Sequence, residues 1–252
     1  MTDIASRRDG KRDGQRAREL IVDAAEAVFA ERGFHGARTE AMAKAAGYNI
    51  SLLFQYFGNK LGLYSAVLER ANRELQALQQ QVLAPLVEDD TLISDPERFS
   101  GFLTTVVYTT FDYFWDHPQL RRVLAWEMAD GWQTYAQIAS RLAADNAGDF
   151  DRLFQKARRA GRLRSGLSPL IQLTLVSQMC QSYLGYLPLY QTLLPGQRLA
   201  SKAALVRARG HMVDWVVAAM VADVPAPPTE ARRRQKTRTP RTGTAKVLPH
   251  RS

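Results

Sequence analysis

Cysteine is almost absent from this 252-residue chain. Cys180 stands alone, which excludes an intramolecular disulfide and with it a small cystine-stapled fold. It lies in the apolar run LTLVSQMCQSYLGYL, where a buried structural thiol is expected rather than a reactive one. Long apolar runs are missing too: none approaches the ~18 uninterrupted residues of a membrane-spanning helix, so no membrane partner is expected. The N-terminus MTDIASRRDGKRDGQRAR is charged and no apolar segment follows it, unlike a secretory signal, and the expected location is cytoplasmic. β-Branched alternation is scarce and no internal repeat is present. The four histidines, 35, 117, 211 and 250, are scattered without cysteine or carboxylate spacing, so no metal is expected. There is no Ser-His-Asp arrangement and no glycine-rich phosphate loop. No catalytic residue and no cofactor is therefore assigned, and the chain does not read as an enzyme.

A surplus of one charge is also missing from most of the chain. The formal net charge is +9, but residues 1–72 contribute only +2 and residues 73–222 only +1. The remaining +6 falls in residues 223–252. Charge alone thus does not make the body of the chain a nucleic-acid binder, and local pattern has to decide.

What is present is helical periodicity. The fold class expected is all-α, a three-helix unit at residues 16–60 followed by a larger helical domain at 61–222. Residues 1–15, polar with glycines and mixed charges, read as a disordered arm, and 223–252, rich in Pro, Arg and Thr, as a disordered basic tail. Leu20, Ile21, Ala24, Ala25, Val28 and Phe29 form one apolar stripe, on a helix that should stop at Gly33. Thr39 offers an N-cap for a helix over 40–46, with Glu40 just inside it, and Gly47 ends that helix. Asn49 caps a second short helix, Ile50 to about Phe57, and Gly58-Asn59-Lys60 opens a longer amphipathic one. Beyond Pro85 the sequence predicts a loop, then helices over about 99–116, 119–144, 149–160, 170–187 and 199–221. Within the loop, Glu88-Asp89-Asp90 with Asp95 is an acidic cluster of the kind that holds magnesium in helical prenyl-transfer enzymes. No matching second cluster exists, and a solvated loop is the reading adopted.

A helix of about eight residues, a turn starting with glycine and a second short helix form a helix-turn-helix. The first helix braces against the DNA backbone and the second lies in the major groove. Gly47 permits the sharp turn, Ala43 and Ala46 let the helices approach, and Leu53 and Phe57 should face the core. Ile50, Ser51, Leu52, Phe54, Gln55 and Tyr56 are then left nearer DNA.

The run Thr39-Glu-Ala-Met-Ala-Lys-Ala-Ala-Gly47, followed by Leu53-Phe-Gln-Tyr-Phe-Gly-Asn-Lys60 and Leu63, resembles the signature of the tetracycline-repressor (TetR) family. The similarity covers about Arg16 to Leu68 without gaps. It implies an all-α homodimer whose first three helices read double-stranded DNA as a palindromic operator, whose fourth links the domains, and whose remaining helices enclose a small-molecule effector. The last two long helices would pair across the two-fold. By position, Thr39, Tyr56 and Lys60 match phosphate contacts, and Ile50, Ser51, Leu52 and Gln55 match positions that approach base edges. Gln55 and Tyr56 have the plainer alternative of being solvated helix residues. Phe54 stands where the family most often has tyrosine, so one hydroxyl donor to DNA is missing. The apolar Ile50 and Leu52 point to hydrophobic or indirect readout.

Aromatic side chains of the middle region are read either as core packing or as the lining of an apolar effector cavity, and Tyr108, Trp126, Trp132 and Tyr183 are chosen as lining. The arginines of the tail serve either solubility or non-specific DNA affinity by counterion release. The leading reading is a ligand-responsive transcription regulator, a repressor released by an apolar or amphipathic effector. Its rivals are an all-α enzyme on an inherited DNA-binding fold and a sequence-tolerant architectural DNA protein.

Overall fold

Ile21, Ala25 and Phe29 recur every fourth residue, and all three are buried on one face of the first helix, as period 3.6 requires. The computed structural model describes residues 2–87, 93, 95–142, 147–164 and 166–222. The basic tail and the Glu88-Asp89-Asp90 cluster lie outside the described residues. Among the described residues there are ten helices and no strand, and no helix is long and apolar enough to cross a membrane.

Helix α1 spans Thr2–Gly36, so the segment expected to be a disordered arm up to Gln15 is helical. No proline interrupts the first 84 residues, and Arg, Lys, Gln and Ala are favourable helix formers. Gln15 donates to Glu19 one turn on at 2.7 Å, and the backbone at Gly14 lies close against the Tyr56 hydroxyl. Gly33 breaks the helix where the sequence placed its stop: φ 65° and ψ 177° are non-helical and open essentially to glycine, and a separate short turn follows to Gly36.

Helix α2 is Thr39–Ala46 and α3 is Ile50–Phe57. Arg38, extended at φ −107°, occupies the N-cap of α2 without a side-chain bond, and Thr39 is its first helical residue rather than its cap. Gly47 is left-handed at φ 77°, and the Tyr48 N–H reaches back to the Ala43 carbonyl at 3.0 Å, a Schellman closure. Asn49 caps α3 by accepting from the Leu52 N–H at 2.8 Å. Asn59 repeats the device for α4, Lys60–Val87, accepting from the Gly62 N–H at 2.9 Å.

The body is organised around α5, Pro96–Asp116, which buries Phe99, Phe102, Leu103, Val107, Phe111 and Phe114. It begins three residues before the expected start, because Asp95 accepts from the Glu97 N–H at 2.9 Å and Pro96 is preset for a first turn. The single helix expected over 119–144 is two, α6 at Pro118–Ala129 and α7 at Gln133–Leu142. Gly131 (φ 69°) and Trp132 (φ 61°) turn the chain between them. Helix α8 is Ala147–Arg159, α9 is Pro169–Leu193 and α10 is Lys202–Met220. Helix α9 runs through Pro188, where the sequence suggested an end. One backbone bond is lost there, while Leu184 and Leu187, both buried, keep the helix on the core. Helices α4, α6, α9 and α10 all pack on α5, and α1 packs on α6.

Candidate nucleic-acid interface

The short helices α2 and α3 are seated by apolar residues pointing inward. Met42 and Ala43 of α2 and Leu53 of α3 are buried against Ile21, Phe29 and Leu63 in one cluster. The opposite side of α3 is open. Ser51, Phe54 and Gln55, spaced to share one face, are exposed, with Phe54 at 42% accessibility. Ile50, Leu52 and Tyr56 are half-buried and pack against the core, so the set expected nearest to DNA divides into three free side chains and three at the rim. Phe57, expected to face the core, is half-buried and packs against it, with the Arg18 guanidinium 5.2 Å from its ring centre.

Thr39 is half-buried in the first turn of α2, where free backbone N–H groups and the helix dipole favour an anion. Lys60 has local partners. Its Nζ donates to the His35 carbonyl at 3.3 Å and lies 4.8 Å from the centre of the Phe34 ring, and burial lowers its pKa. Two exposed cations, Arg38 at the N-cap of α2 and Lys44 in its last turn, fall outside the set suggested by the motif. Their signal in the sequence was their place flanking Thr39.

The four aromatics chosen as effector lining are not brought to one place. Tyr108 of α5 lies under the Arg209 guanidinium of α10 at 4.1 Å, and Arg209 also pairs with Asp112. Tyr183 of α9 is half-buried, 6.2 Å from both Phe111 and Tyr190. Trp126 faces α1: its Nε1 donates to the Ala30 carbonyl at 3.3 Å and its ring lies against Gly33. Its seat is therefore the junction of α6 with the DNA-binding domain. Trp132, 40% exposed, stands at the α6–α7 turn with its ring edge-on to Tyr135. Cys180 is buried, and burial pushes its thiol up to about 12. Among the described residues no three His, Cys, Asp or Glu side chains gather into a metal-binding group.

Residues 21–67 match the family described as bacterial regulatory proteins of the tetR family. Residues 102–216 match the tetracyclin repressor-like C-terminal domain. The chain belongs to the TetR family. This TetR-family chain is 33% identical over 116 residues to the HTH-type transcriptional repressor SCO4008 of Streptomyces coelicolor, covering 46% of this chain and 52% of that one. It is 34% identical over 126 residues to the HTH-type transcriptional repressor NicS of Pseudomonas putida, covering 49% and 55%. The chain thus spans about half the length of these curated relatives. Among solved structures, FadR from Bacillus subtilis in complex with stearoyl-CoA shares the fold at a TM-score of 0.58 and 17% identity, covering 80% of this chain and 98% of that one. The TetR family is one of DNA-binding transcription regulators, not of enzymes.

Two helices of the C-terminal domain carry apolar residues with nothing over them. On α9, Leu170 is 70% exposed, Leu175 57% and Leu193 64%, and on α10 Trp215 is 63% exposed.

Proposed function

We propose that this TetR-family chain is a ligand-responsive repressor that occupies a palindromic operator as a two-fold homodimer. In this reading residues 16–60 are the DNA-binding domain and 61–222 the effector-binding and dimerisation domain, and the protein acts in the cytoplasm. The observation that carries it is the outward face of α3, where Ser51, Phe54 and Gln55 stand free on a helix otherwise anchored by Leu53. Gln55 reads a base edge, and adenine suits its amide bidentately. Phe54 makes apolar contact, with the thymine methyl as its natural partner. Ile50, Ser51 and Leu52 border the base edges. Thr39, Tyr56 and Lys60 engage phosphate and set the register.

A second copy covers the exposed apolar faces of α9 and α10 and places two α3 helices on successive half-sites. An apolar or amphipathic effector binds among the α5 and α9 aromatics, Tyr108 and Tyr183 included. The stearoyl-CoA held by the Bacillus subtilis FadR fold supports that class. Trp126 sits instead at the junction with α1, and Trp132 at the α6–α7 turn. By linkage the effector prefers the DNA-incompetent state, and DNA then weakens the effector by the same factor.

Sequencing DNA fragments selected by the purified protein tests this reading. A shared palindrome protected in footprinting is expected, with reporter expression falling when the protein is present. Protection without any preferred sequence would replace it with an architectural role, and rising reporter expression would make the protein an activator.

A further inference from the structure

The positive charge of the body is gathered on one helix and the loop after it. Residues 73–222 sum to only +1, yet residues 152–164 hold Arg152, Lys156, Arg158, Arg159, Arg162 and Arg164 and no acid. Helix α8 sorts its residues by side. Leu153, Phe154 and Ala157 are buried, with the Phe154 ring 6.5 Å from that of Phe102 on α5. Arg152, Gln155, Lys156, Arg158 and Arg159 are exposed. Arg162 and Arg164 carry the basic stretch past the end of α8, on a loop that is pinned to the body. The Arg162 Nε donates to the Ile93 carbonyl at 3.0 Å, and the Arg164 Nε donates to the Val221 carbonyl at 2.6 Å. Between them Leu163 forms an antiparallel bridge with Val221.

The bridge also fixes where the C-terminal tail leaves the body. The Ala222 N–H donates to the Arg162 carbonyl at 2.8 Å, so residues 223–252, with eight basic and two acidic residues, depart from beside Arg162. Two basic stretches far apart in sequence therefore meet at one place, and that place is remote from α3. Helix α4 leaves the DNA-binding domain at Lys60 and runs 28 residues to Val87, about 40 Å at 1.5 Å per residue. Ile93, which takes the Arg162 bond, lies six residues further on. Helix α5 then returns over 21 residues toward α6 and α1.

We infer that the outer face of α8 and the 158–164 loop form a second anion-binding surface, whose partner is the phosphate backbone of a DNA duplex other than the one α3 reads. Four features select that partner. The charges have one sign, and Lys156 has like-charged neighbours in Arg152 and Arg159, one turn to either side; such pairs weaken a helix that has only water to face. The exposed positions from 151 to 164 include no apolar side chain larger than that of Ala160, so the surface lacks the anchors with which a basic helix enters a bilayer or grips a peptide. Five of the six cations are arginines, whose planar fork fits phosphate bidentately. Arg152 to Arg159 cover about 10 Å of helix axis, along which one DNA strand sets about three phosphates. A straight duplex seated on α3 does not reach this end of the body, whereas a second duplex does. The protein would then hold two duplexes together, one by sequence and one by charge. The inference rests on the reading of the chain as a DNA-binding regulator, since α3 supplies the first duplex.

The test saturates the full-length protein with a selected operator duplex and titrates in a second duplex lacking that sequence. Energy transfer between labels on the two duplexes reads capture. The wild type should bring them together at roughly 50 mM salt. Arg152→Gln, Lys156→Gln and Arg159→Gln combined, all at exposed positions, should keep the wild-type melting temperature and operator affinity and lose most of the capture. With three phosphate contacts given up, the two salt slopes should differ by about 2.7, and the deficit should shrink about fortyfold between roughly 50 and 200 mM salt. Equal capture by wild type and triple variant at every salt concentration would overturn the inference. So would binding to phosphatidylserine vesicles or polyglutamate without capture of the second duplex, which would assign the face to a membrane or an acidic protein. Failure to select any operator would refute the proposed function instead. The comparison of wild type and triple variant on unselected duplex alone would still decide what α8 does.

Discussion

Gly33→Ala tests the junction between the two domains at a single atom. The residue sits at φ 65° and ψ 177°, a corner of backbone space that costs a residue with a Cβ about 1–3 kcal/mol. The added methyl also meets the Trp126 ring, with Cδ2 at 3.0 Å, Cγ at 3.2 Å and Cε3 at 3.3 Å. Forcing a methyl into such a contact costs about 1–3 kcal/mol, and less where the ring can slide outward. Trp126 is 40% exposed, so the lower end applies and the sum comes to about 2–4 kcal/mol. For a chain of this size each kcal/mol lowers the melting temperature by roughly 2–4 °C, which places the variant about 4–16 °C below wild type. Calorimetry reads the total, and a double-mutant cycle with Trp126→Ala separates its parts. The coupling energy is the ring contact and the remainder is the backbone. An alanine variant melting within a degree of the wild type would refute the reasoning, because neither the conformation nor the contact would then be holding the junction.

Lys60→Ala should weaken binding to every DNA sequence and reduce the salt slope by about one unit, whereas Gln55→Ala should change preference at one base pair per half-site by about 1–3 kcal/mol. Even losses across sequences for both would remove Gln55 from base reading. Light scattering at micromolar concentration should give a dimer mass, and Trp215→Glu, which puts a charge on the exposed α10 face, should shift it toward monomer; a wild-type monomer would refute the interface. Cys180 should resist thiol reagents at pH 7–8 in the folded protein and react fully in denaturant, since burial pushes its thiol up to about 12; fast labelling of the native state would contradict its burial. Deleting residues 225–252 should leave thermal stability unchanged and reduce non-specific DNA affinity most at low salt. A melting point several degrees lower would show that the segment contributes to the fold.

What the sequence made legible was local, and what it hid depended on partners far along the chain. Gly47 and Asn49 were readable because a left-handed glycine and a capping amide act on backbone groups a few residues away. The Thr39 cap failed for an equally local reason: threonine at the cap and at the first helical position look alike in sequence, and only the extended backbone of Arg38 distinguishes them. The turn between α6 and α7 left a signal in Asp130-Gly131, but the apolar spacing on either side carried the expected helix through it. Glu127 gave no signal at all. A glutamate in a helix reads as solvated, and the Tyr64 hydroxyl that justifies its burial lies 63 residues earlier. Trp126 was legible as an aromatic worth attention, yet whether it lines a cavity or grips another helix is decided by Gly33 on α1. The same holds for Tyr108, whose partner Arg209 is on α10. The exposed face of α3 lies on one short helix, so periodicity alone reaches Ser51, Phe54 and Gln55. Coupling between domains is made by side chains that meet only after folding, and there the structure supplies what no spacing rule contains.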